Sequence, residues 1–424
     1  MKFADCVITD CRQLLTCRGP IPKRGEDLRE TGLLENATIA SYRGRIVYIG
    51  HRQTFETDYS LAEGGVVLNA EGLTALPGFV DPHNHLPFAG GREQEFALRL
   101  QGATYQELAG RGMGIQTSVR ETRRAGREEL TSLCLSRLDS MLLHGTTTTE
   151  AKSGYGLNKE DEIKQLEALK EADLRHPIDI ISTFLGAHEI PPEYKTDKET
   201  YIRLLIDDII PEIRRRDLAE FFDVFCEEGV YSVEESRRLI QAAKQHGFKI
   251  KIHADEFAPL GGTQLAAEEG ATSADHVMAI TEEGIQALAE SDTAATFLPG
   301  VSFFLMQNKK APARRIIDSG AVVALATDFN PGSSMTESML FILQLAVYTL
   351  GMGIEEAINA ATANAAFTLR RHNDVGSLDI GKKMDVILFD EPSYLNLVYH
   401  LGVNSVRHVV KDGRIVVRDR NLTY

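Results

Sequence analysis

The sequence predicts an α/β fold: a (β/α)8 TIM-like barrel with a small β-sandwich domain formed by both chain ends. Three observations support this fold class. Eight β-rich runs alternate with amphipathic helical runs in the middle of the chain, most of the β-rich runs end in polar residues, and strand-and-turn segments stand at both ends. Alternating strands and helices are typical of a parallel sheet with crossover helices.

The two ends of the chain read as short strands joined by turns. In residues 37–50 an Arg-Gly pair separates two β-rich runs, and residues 406–417 contain an Asp-Gly pair between two others. Both patterns predict β-hairpins. We therefore expect residues 1–72 and 375–424 to form one composite β domain, with the barrel at residues 73–374.

The predicted barrel strands are short apolar runs, and there are eight of them. They span residues 78–85, 145–153, 178–188, 221–229, 248–256, 272–277, 293–299 and 321–328. The predicted helices between them include residues 160–174, 233–247 and 311–320, the last two ending at glycines typical of helix C-caps. A doubly wound open sheet is the competing topology, but no glycine-rich dinucleotide motif follows the first strand.

Composition excludes several classes of protein. The 424 residues are 43% apolar and 25% charged, as in an ordinary globular protein. The net charge of −15 has no compensating Lys/Arg block, so nucleic acid is not an expected partner. No run of about 20 apolar residues and no apolar leader are found, which predicts a cytoplasmic protein without membrane association. Five cysteines without a CxxC pair indicate neither a disulfide framework nor a zinc knuckle.

Metal-ligating residue types collect where the predicted strands end, which is where barrel enzymes place their reacting groups. His83 and His85 are two apart on the first strand and so point to the same side. The fifth, sixth and eighth strands carry His253, His276 and Asp328 at or near their ends. The predicted ligands of one divalent metal ion are His83, His85, His253 and Asp328. Imidazole with one carboxylate suits zinc or iron better than magnesium or calcium, and such an ion would activate water for hydrolysis.

Several longer stretches are more distinctive than the metal residues alone. They are PGFVDPHNH (77–85), FAGGREQEF (88–96), AKSGYGL (151–157), FLGAHEIPPEY (184–194), KIHADEFAPLGG (251–262), SADH (273–276) and ATDFNPGSS (326–334). Through them the sequence resembles the amidohydrolase superfamily and, within it, the imidazolonepropionase family over nearly its whole length. The resemblance implies hydrolytic ring opening of 4-imidazolone-5-propanoate to N-formimidoyl-L-glutamate in histidine degradation. It also implies one Zn²⁺ or Fe²⁺/Fe³⁺ ion per chain and a homodimer.

Two positions qualify the resemblance. Asn84 stands where the family usually has Thr, and we expect it to change packing or hydrogen bonding around the ligands, not the ligands themselves. Lys152 could be mistaken for the bridging lysine of binuclear relatives. Because the imidazolonepropionase family resembles the mononuclear branch, Lys152 is not assigned to the metal.

The resemblance also implies substrate-binding residues. Arg92 matches a substrate position, and a guanidinium group can bind the propionate carboxylate bidentately. Tyr155 and His188, near the ends of the second and third strands, match positions that face the ring.

A further substrate site is expected in the segment after the eighth strand, where Asn330, Gly332 and Ser333 would form a cradle for a carboxylate or formimidoyl group. Ser334 and Glu337 have capping-box spacing, so the segment is predicted to run into a helix there. A helix N-terminus with free N–H groups attracts anions.

Three residues are predicted to carry catalysis, and their division of labour stays open. Glu256 would accept a hydrogen bond from a ring N–H or shuttle a proton. Asp328 would activate the water, and His276 would orient it or stabilise the oxyanion. The neighbouring pair Glu227-Glu228 is expected to be a solvated face.

Two other readings share parts of this pattern. A related cyclic amidohydrolase or nucleobase deaminase would use the same metal ligands, but Arg92 and the Asn330 segment favour a small ring with an acid tail. A non-catalytic barrel would have lost metal ligands, whereas every expected ligand is present. The metal content of the purified protein would separate the catalytic from the non-catalytic reading.

Overall fold

A computed structural model describes residues 2–102, 107 and 113–424. Its strands form two sheets, one of eight strands and one of nine. In chain order they are β1 (Lys2–Leu15), β2 (Leu33–Tyr42), β3 (Arg45–His51), β4 (Tyr59–Asn69), β5 (Thr74–Pro77), β6 (Phe79–Asp81), β7 (Thr146–Lys152), β8 (Asp179–Ala187), β9 (Phe221–Cys226), β10 (Lys249–Ala254), β11 (Ser273–His276), β12 (Ala294–Phe297), β13 (Val323–Leu325), β14 (Val386–Phe389), β15 (Val406–Lys411), β16 (Arg414–Arg418) and β17 (Asn421–Leu422).

Strands β6 to β13 form a parallel sheet in sequence order. The sheet closes where its first and last strands end, because Asp328 N donates to His83 O at 2.9 Å and His85 N donates to Phe329 O at 3.0 Å. The predicted eight-stranded barrel is therefore confirmed. The strands are shorter than predicted, and β6 stops before Pro82, which has no N–H to continue the ladder.

Helices connect the barrel strands and pack with one apolar face inward. In chain order the described α-helices are Arg52–Asp58, Glu93–Leu100, Ile115–Arg124, Arg127–Leu143, Lys159–Arg175, Lys198–Leu204, Ile210–Arg215, Val233–Gln245, Gly262–Glu268, Glu282–Ala289, Pro299–Phe304, Ala313–Asp318, Met339–Leu350, Ile354–Ala360, Ala363–Thr368 and Asn396–Tyr399. Val233–Gln245 begins at a capping box between Ser232 and Glu235. No helix in the described ranges is both long and apolar enough to span a membrane.

The helix after the eighth barrel strand begins later than predicted. Its first residue is Met339, and Ser338 is the N-cap, accepting a hydrogen bond from Phe341 N. The expected capping box of Ser334 and Glu337 is therefore wrong. Ser334 instead donates to Thr327 O at 2.7 Å, which holds the preceding loop against the strand.

The nine-stranded sheet is built from both chain ends, with the order β17-β16-β15-β14-β5-β1-β2-β3 and β4 parallel to β1. The two predicted hairpins are confirmed, β2 with β3 and β15 with β16. An apolar cluster shared by the two ends, including Ile8, Ile39, Val386 and Val410, holds them together. β5 pairs with β14 and leads directly into the barrel. The exact domain boundaries remain a prediction.

Candidate active site

The carboxyl ends of the barrel strands bring the five predicted metal-site and water-activating side chains into one buried cluster. His83, His85, His253, His276 and Asp328 are each exposed by 3% or less. Ligand atoms of His83, His253 and His276 lie within 4.8 Å of one another, and so do those of His83, His85 and Asp328. The cluster forms because β6, β10, β11 and β13 end at the same mouth of the barrel.

Many polar atoms of this cluster lack a partner in the described part of the chain. Nε2 of His83, both ring nitrogens of His253 and of His276, and Oδ1 of Asp328 are buried without a hydrogen bond. Asp328 Oδ1 faces two imidazoles, 3.4 Å from His83 Nε2 and 3.3 Å from His85 Nε2. Buried polar atoms without partners are unfavourable, so these converging lone pairs fit a divalent cation.

Two further carboxylates orient the imidazoles. Asp275 Oδ2 is hydrogen-bonded to His83 Nδ1 at 2.6 Å, and Asp223 Oδ2 lies at ion-pair distance from His253 Nδ1, 3.0 Å, without hydrogen-bond geometry. A carboxylate beside Nδ1 favours the proton there and leaves Nε2 as the ligating nitrogen. Sequence analysis missed both residues. The available signal was a charged residue inside an otherwise apolar strand, as Asp223 is within β9.

Two buried lysines neutralise these carboxylates. Lys152 Nζ lies 2.8 Å from both Glu150 Oε1 and Asp223 Oδ2, and Lys251 Nζ lies 3.7 Å from Asp275 Oδ2. Burial disfavours the ammonium form of Lys152, but Asp223 and Glu150 outweigh burial and raise its pKa. Lys152 therefore remains a cation in an ion-pair network, which agrees with leaving it out of the ligand set.

The residue between the two first-strand histidines joins neighbouring strands. Asn84 is fully buried, and its Nδ2 donates to Thr149 Oγ1 at 2.6 Å and to Glu150 O at 2.5 Å. Its Oδ1 accepts from Leu86 N at 3.0 Å. The side chain thus links the segment after β6 to β7. Whether Asn84 in place of Thr changes hydrogen bonding around the ligands stays a prediction.

Two site residues have a left-handed backbone. His276 has φ of +78° and Asp328 has φ of +49°. Such conformations cost about 1–3 kcal/mol each in a non-glycine residue and persist where surrounding contacts impose them. At Asp328 the hydrogen bond from its N–H to His83 O is one such contact.

A cavity of about 410 Å³ opens onto the cluster, a volume typical of small-molecule sites. The predicted site residues that line it are His85, Arg92, Tyr155, His188, His253, Glu256, His276, Asp328, Asn330, Gly332 and Ser333. Only His83 of the predicted set is outside the lining. Sequence analysis missed other lining residues, among them Glu95, Arg99, Phe225 and Phe257.

His188 and Tyr155 offer complementary neutral groups to a ring. Burial and the neighbouring His85 lower the pKa of His188 to about 3, so its imidazole is neutral. His188 Nδ1 lies 3.0 Å from Gly154 O and donates to it, which leaves Nε2 as an acceptor. Burial raises the pKa of Tyr155, whose ring centroid lies 5.5 Å from that of His188, and its hydroxyl remains a donor.

Glu256 is a buried carboxyl group beside the cluster. Its Oε2 lies 3.6 Å from His276 Nε2, and the residue is 6% exposed. Burial, together with the negative charges of Asp328 and Glu227, raises the pKa of Glu256 well above its ordinary value. These surroundings favour the protonated form of Glu256 over the carboxylate.

The loop that carries Glu256 is held by two other carboxylates. Asp255 accepts hydrogen bonds from Gly261 N and Thr263 N, both at 2.9 Å. Glu227 accepts from Phe257 N at 2.9 Å and is only 3% exposed. The expectation of a solvated Glu227 is therefore wrong, because the backbone N–H groups of this loop need an acceptor and Glu227 supplies it.

Arg92 is held in a bidentate ion pair. Its Nε lies 3.0 Å from Glu95 Oε2 and its Nη2 lies 2.5 Å from Glu95 Oε1. Gly332 lies directly against the guanidinium, since a Cβ at this position would stand 2.1 Å from Arg92 Nη1. Only a residue without a side chain leaves room for Arg92 here.

The segment after β13 does not present the free N–H groups expected of it. Asn330 Oδ1 accepts from Gly332 N at 2.8 Å and from Ser333 N at 2.9 Å. The two N–H groups that were expected to bind an anion are therefore already hydrogen-bonded within the turn. The helix itself starts only at Met339. Asn330, Gly332 and Ser333 line the cavity, and their role in binding a carboxylate or formimidoyl group stays a prediction.

A larger cavity of about 1290 Å³ lies elsewhere, against the nine-stranded sheet. Among its charged lining groups, Lys411 Nζ lies 3.2 Å from Asp412 Oδ2 and Lys383 Nζ lies 3.3 Å from Asp412 Oδ1. None of the predicted site residues lines it, so the histidine cluster marks the candidate active site.

Solved structures with this architecture include metal-bound hydrolases. The chain superposes on an adenosine deaminase from Xanthomonas campestris with bound zinc, with a TM-score of 0.72 and 17% identity, covering 100% of this chain and 95% of that one. A triazine hydrolase variant gives a TM-score of 0.75 at 17% identity, covering 98% and 95%. At this identity the similarity shows the fold alone.

Sequence comparisons are more specific. The model of the amidohydrolase family matches residues 74–416. The imidazolonepropionase of Geobacillus kaustophilus (strain HTA426) is 48% identical over 412 residues, 96% of this chain and 97% of that protein. The imidazolonepropionase of Symbiobacterium thermophilum is 46% identical over 418 residues, 98% of each chain. The chain therefore belongs to the amidohydrolase family and, within it, to the imidazolonepropionases.

Proposed function

We propose that this chain hydrolyses 4-imidazolone-5-propanoate to N-formimidoyl-L-glutamate in histidine degradation. The observation that carries the proposal is the buried histidine and aspartate cluster, with its unpartnered atoms, opening into the same cavity as Arg92, Tyr155 and His188. Relatives named imidazolonepropionase, 44–48% identical over nearly the whole chain, support the choice of substrate. As part of the same proposal, the chain acts as a homodimer in the cytoplasm, which rests on the sequence alone.

In this proposal one metal ion, Zn²⁺ or Fe²⁺/Fe³⁺, binds to four residues. These are His83, His85, His253 and Asp328. When bound, such an ion lowers the pKa of water toward neutrality and polarises a carbonyl group. The chemistry of the donor set supports zinc or iron, because imidazole nitrogens outnumber the carboxylate oxygen.

In this proposal Asp328 and Glu256 each carry out one of the two proton transfers of the reaction. Burial opposes the charge of Asp328, but His83 and His85 hold the pKa of that carboxylate well below its ordinary value. Asp328 is therefore a carboxylate that accepts a proton from the water attacking the ring carbonyl. As the ring C–N bond breaks, the protonated Glu256 donates its proton to the departing nitrogen.

His276 serves the same step as a neutral group. Burial lowers the pKa of His276 to about 4. A neutral imidazole can orient the water or donate a hydrogen bond to the oxygen where negative charge develops. His188 and Tyr155 hold the ring through an acceptor and a donor, while Arg92 contacts the propionate.

The direct test is turnover of 4-imidazolone-5-propanoate, followed as loss of its absorbance, by purified protein of known metal content. We expect turnover with about one metal ion per chain and its loss after treatment with a chelator, because the ligands must hold the ion for hydrolysis. Re-addition of Zn²⁺ or Fe²⁺ is the control. Metal-loaded protein without turnover would contradict the proposed substrate and direct the search to other cyclic amides or nucleobases.

Gly332→Ala tests the placement of Arg92. The added methyl group would meet the guanidinium, so we expect KM to rise by about 10-fold or more, the cost of losing a charge-assisted hydrogen bond. Metal content should not change. Gly126→Ala is the matched control, because an added Cβ there meets nothing within 4 Å and φ is −74°; it should leave KM at its wild-type value. Unchanged KM in Gly332→Ala would contradict a substrate role for Arg92.

A further inference from the structure

The residues that the proposed function assigns to the substrate carboxylate carry no net positive charge. Arg92 is neutralised by its bidentate pair with Glu95, whose own charge would repel a carboxylate nearby. The N–H groups of Gly332 and Ser333 are already bonded to Asn330. Some other group must supply the attraction that distinguishes an acid tail from a neutral one.

Arg99 lines the same cavity and lies on the same helix, Glu93–Leu100, as Glu95. Among the residues that the structure describes, no carboxylate oxygen lies within salt-bridge distance of its guanidinium, although Glu95 and Arg92 are close enough to affect its pKa. Its Nε is buried and has no hydrogen-bond partner within the described ranges. Within the part of the chain that the structure describes, Arg99 therefore differs from Arg92 in having no carboxylate partner in an ion pair.

Two aromatic rings hold the Arg99 side chain. The guanidinium carbon lies 5.7 Å from the ring centroid of Phe96 and 5.5 Å from that of Phe304. The two rings stack on each other with centroids 4.9 Å apart. Cation–π contacts of this kind contribute only about 0.5–2 kcal/mol, less than the usual cost of a partly buried, unpaired charge. The rings position the guanidinium but do not replace an anionic partner.

Among the described residues at this end of the cavity, three carry a charge: Arg92, Glu95 and Arg99. Arg92 and Glu95 cancel, and Arg99 leaves one positive charge, which equals in magnitude the single negative charge of a propionate tail. A guanidinium that is fixed in place and lacks a partner loses little entropy when it binds a carboxylate.

We propose that Arg99 is the specificity-determining residue for the acid tail of the substrate. It supplies the net charge that selects a carboxylate, while Arg92, held by Glu95, provides directional hydrogen bonds. This inference rests on the proposed function for the choice of ligand, and it adds a residue that binds the ligand without taking part in the chemistry.

The test compares two inhibitors that differ only in charge, 3-(imidazol-4-yl)propanoate and its primary amide. Their Kd values are measured by calorimetry with the metal-loaded wild-type protein and with Arg99→Met and Arg99→Lys. We expect the wild type to prefer the acid by about 10- to 100-fold, the range for a charged hydrogen bond. Arg99→Met, which keeps an unbranched apolar stem beside the phenylalanines, should lower this ratio to near 1. Arg99→Lys should restore part of it.

Arg124→Met, the same substitution at an exposed position on the helix Ile115–Arg124, is the matched control and should leave the ratio at its wild-type value. An Arg99→Met protein that retains the wild-type acid-to-amide ratio would overturn the proposal. So would a wild type without any preference for the acid. Turnover of 4-imidazolone-5-propanoate by the wild type is measured separately, so that an intact acid preference without turnover refutes the proposed function and not the role of Arg99.

Discussion

His253→Ala is expected to lose its bound metal and to lower turnover of 4-imidazolone-5-propanoate by roughly 10³-fold or more, since metal activation of water contributes several kcal/mol. The His253 ring packs beside those of His83 and His276, with ring centroids 4.5 Å and 5.2 Å away. The substitution removes one of the four predicted metal ligands and leaves Asp223 without the imidazole that it faces. Metal content by elemental analysis and kcat are the two measurements.

His246→Ala provides the control for this change. His246 is exposed at the end of the helix Val233–Gln245, away from the barrel mouth, and should leave both metal content and kcat unchanged. A His253→Ala protein with full metal content and normal turnover would remove His253 from the ligand set. Loss of metal with normal turnover would instead show that hydrolysis needs no ion at this cluster.

Glu256→Gln is expected to lower kcat by about 10²- to 10⁴-fold, the usual contribution of a general acid or base, while the metal stays bound. Glutamine has nearly the same shape as a protonated glutamic acid and can still donate a hydrogen bond. It cannot transfer a proton to the departing ring nitrogen. The proposed role therefore predicts a loss in kcat with little change in KM, measured by steady-state kinetics at known metal content.

Glu228→Gln is the matched control, because Glu228 is an exposed carboxylate next to the buried Glu227. It should behave as the wild type. Should Glu256→Gln turn over substrate at the wild-type rate, Glu256 has no part in proton transfer, and the proton must come from His276 or from solvent.

The order of elements along the chain was readable from the sequence. Alternating strand and helix patterns predicted all eight barrel strands, and the hairpins at Arg43-Gly44 and Asp412-Gly413 were predicted from their turn residues. These features depend on local periodicity and on turn chemistry, both of which act within about ten residues. The histidines and the aspartate at the strand ends followed from the same pattern, because parallel strands in a barrel end at one mouth.

Tertiary structure decided the features that depend on which strands and loops meet. Asp223 and Asp275 face His253 and His83 only because β9, β10, β11 and β6 bring them together inside the barrel. The start of the helix at Met339 could not be predicted from the local sequence pattern. It depends on a loop after β13 in which Asn330 accepts a hydrogen bond from Gly332 N and Ser334 donates one to Thr327 O.

The charge balance of the substrate cavity is the clearest example of a feature that only the tertiary structure decides. From sequence, Arg92 and the Asn330 segment looked sufficient to bind a carboxylate, and neither Glu95 nor Arg99 was singled out. The fold pairs Arg92 with Glu95 and bonds the N–H groups of Gly332 and Ser333 to Asn330. It places Arg99 at the cavity without a carboxylate partner among the described residues. Residue types and their spacing can be read along a chain, but whether a charge is free or compensated depends on distances of a few ångströms between side chains, which folding alone sets.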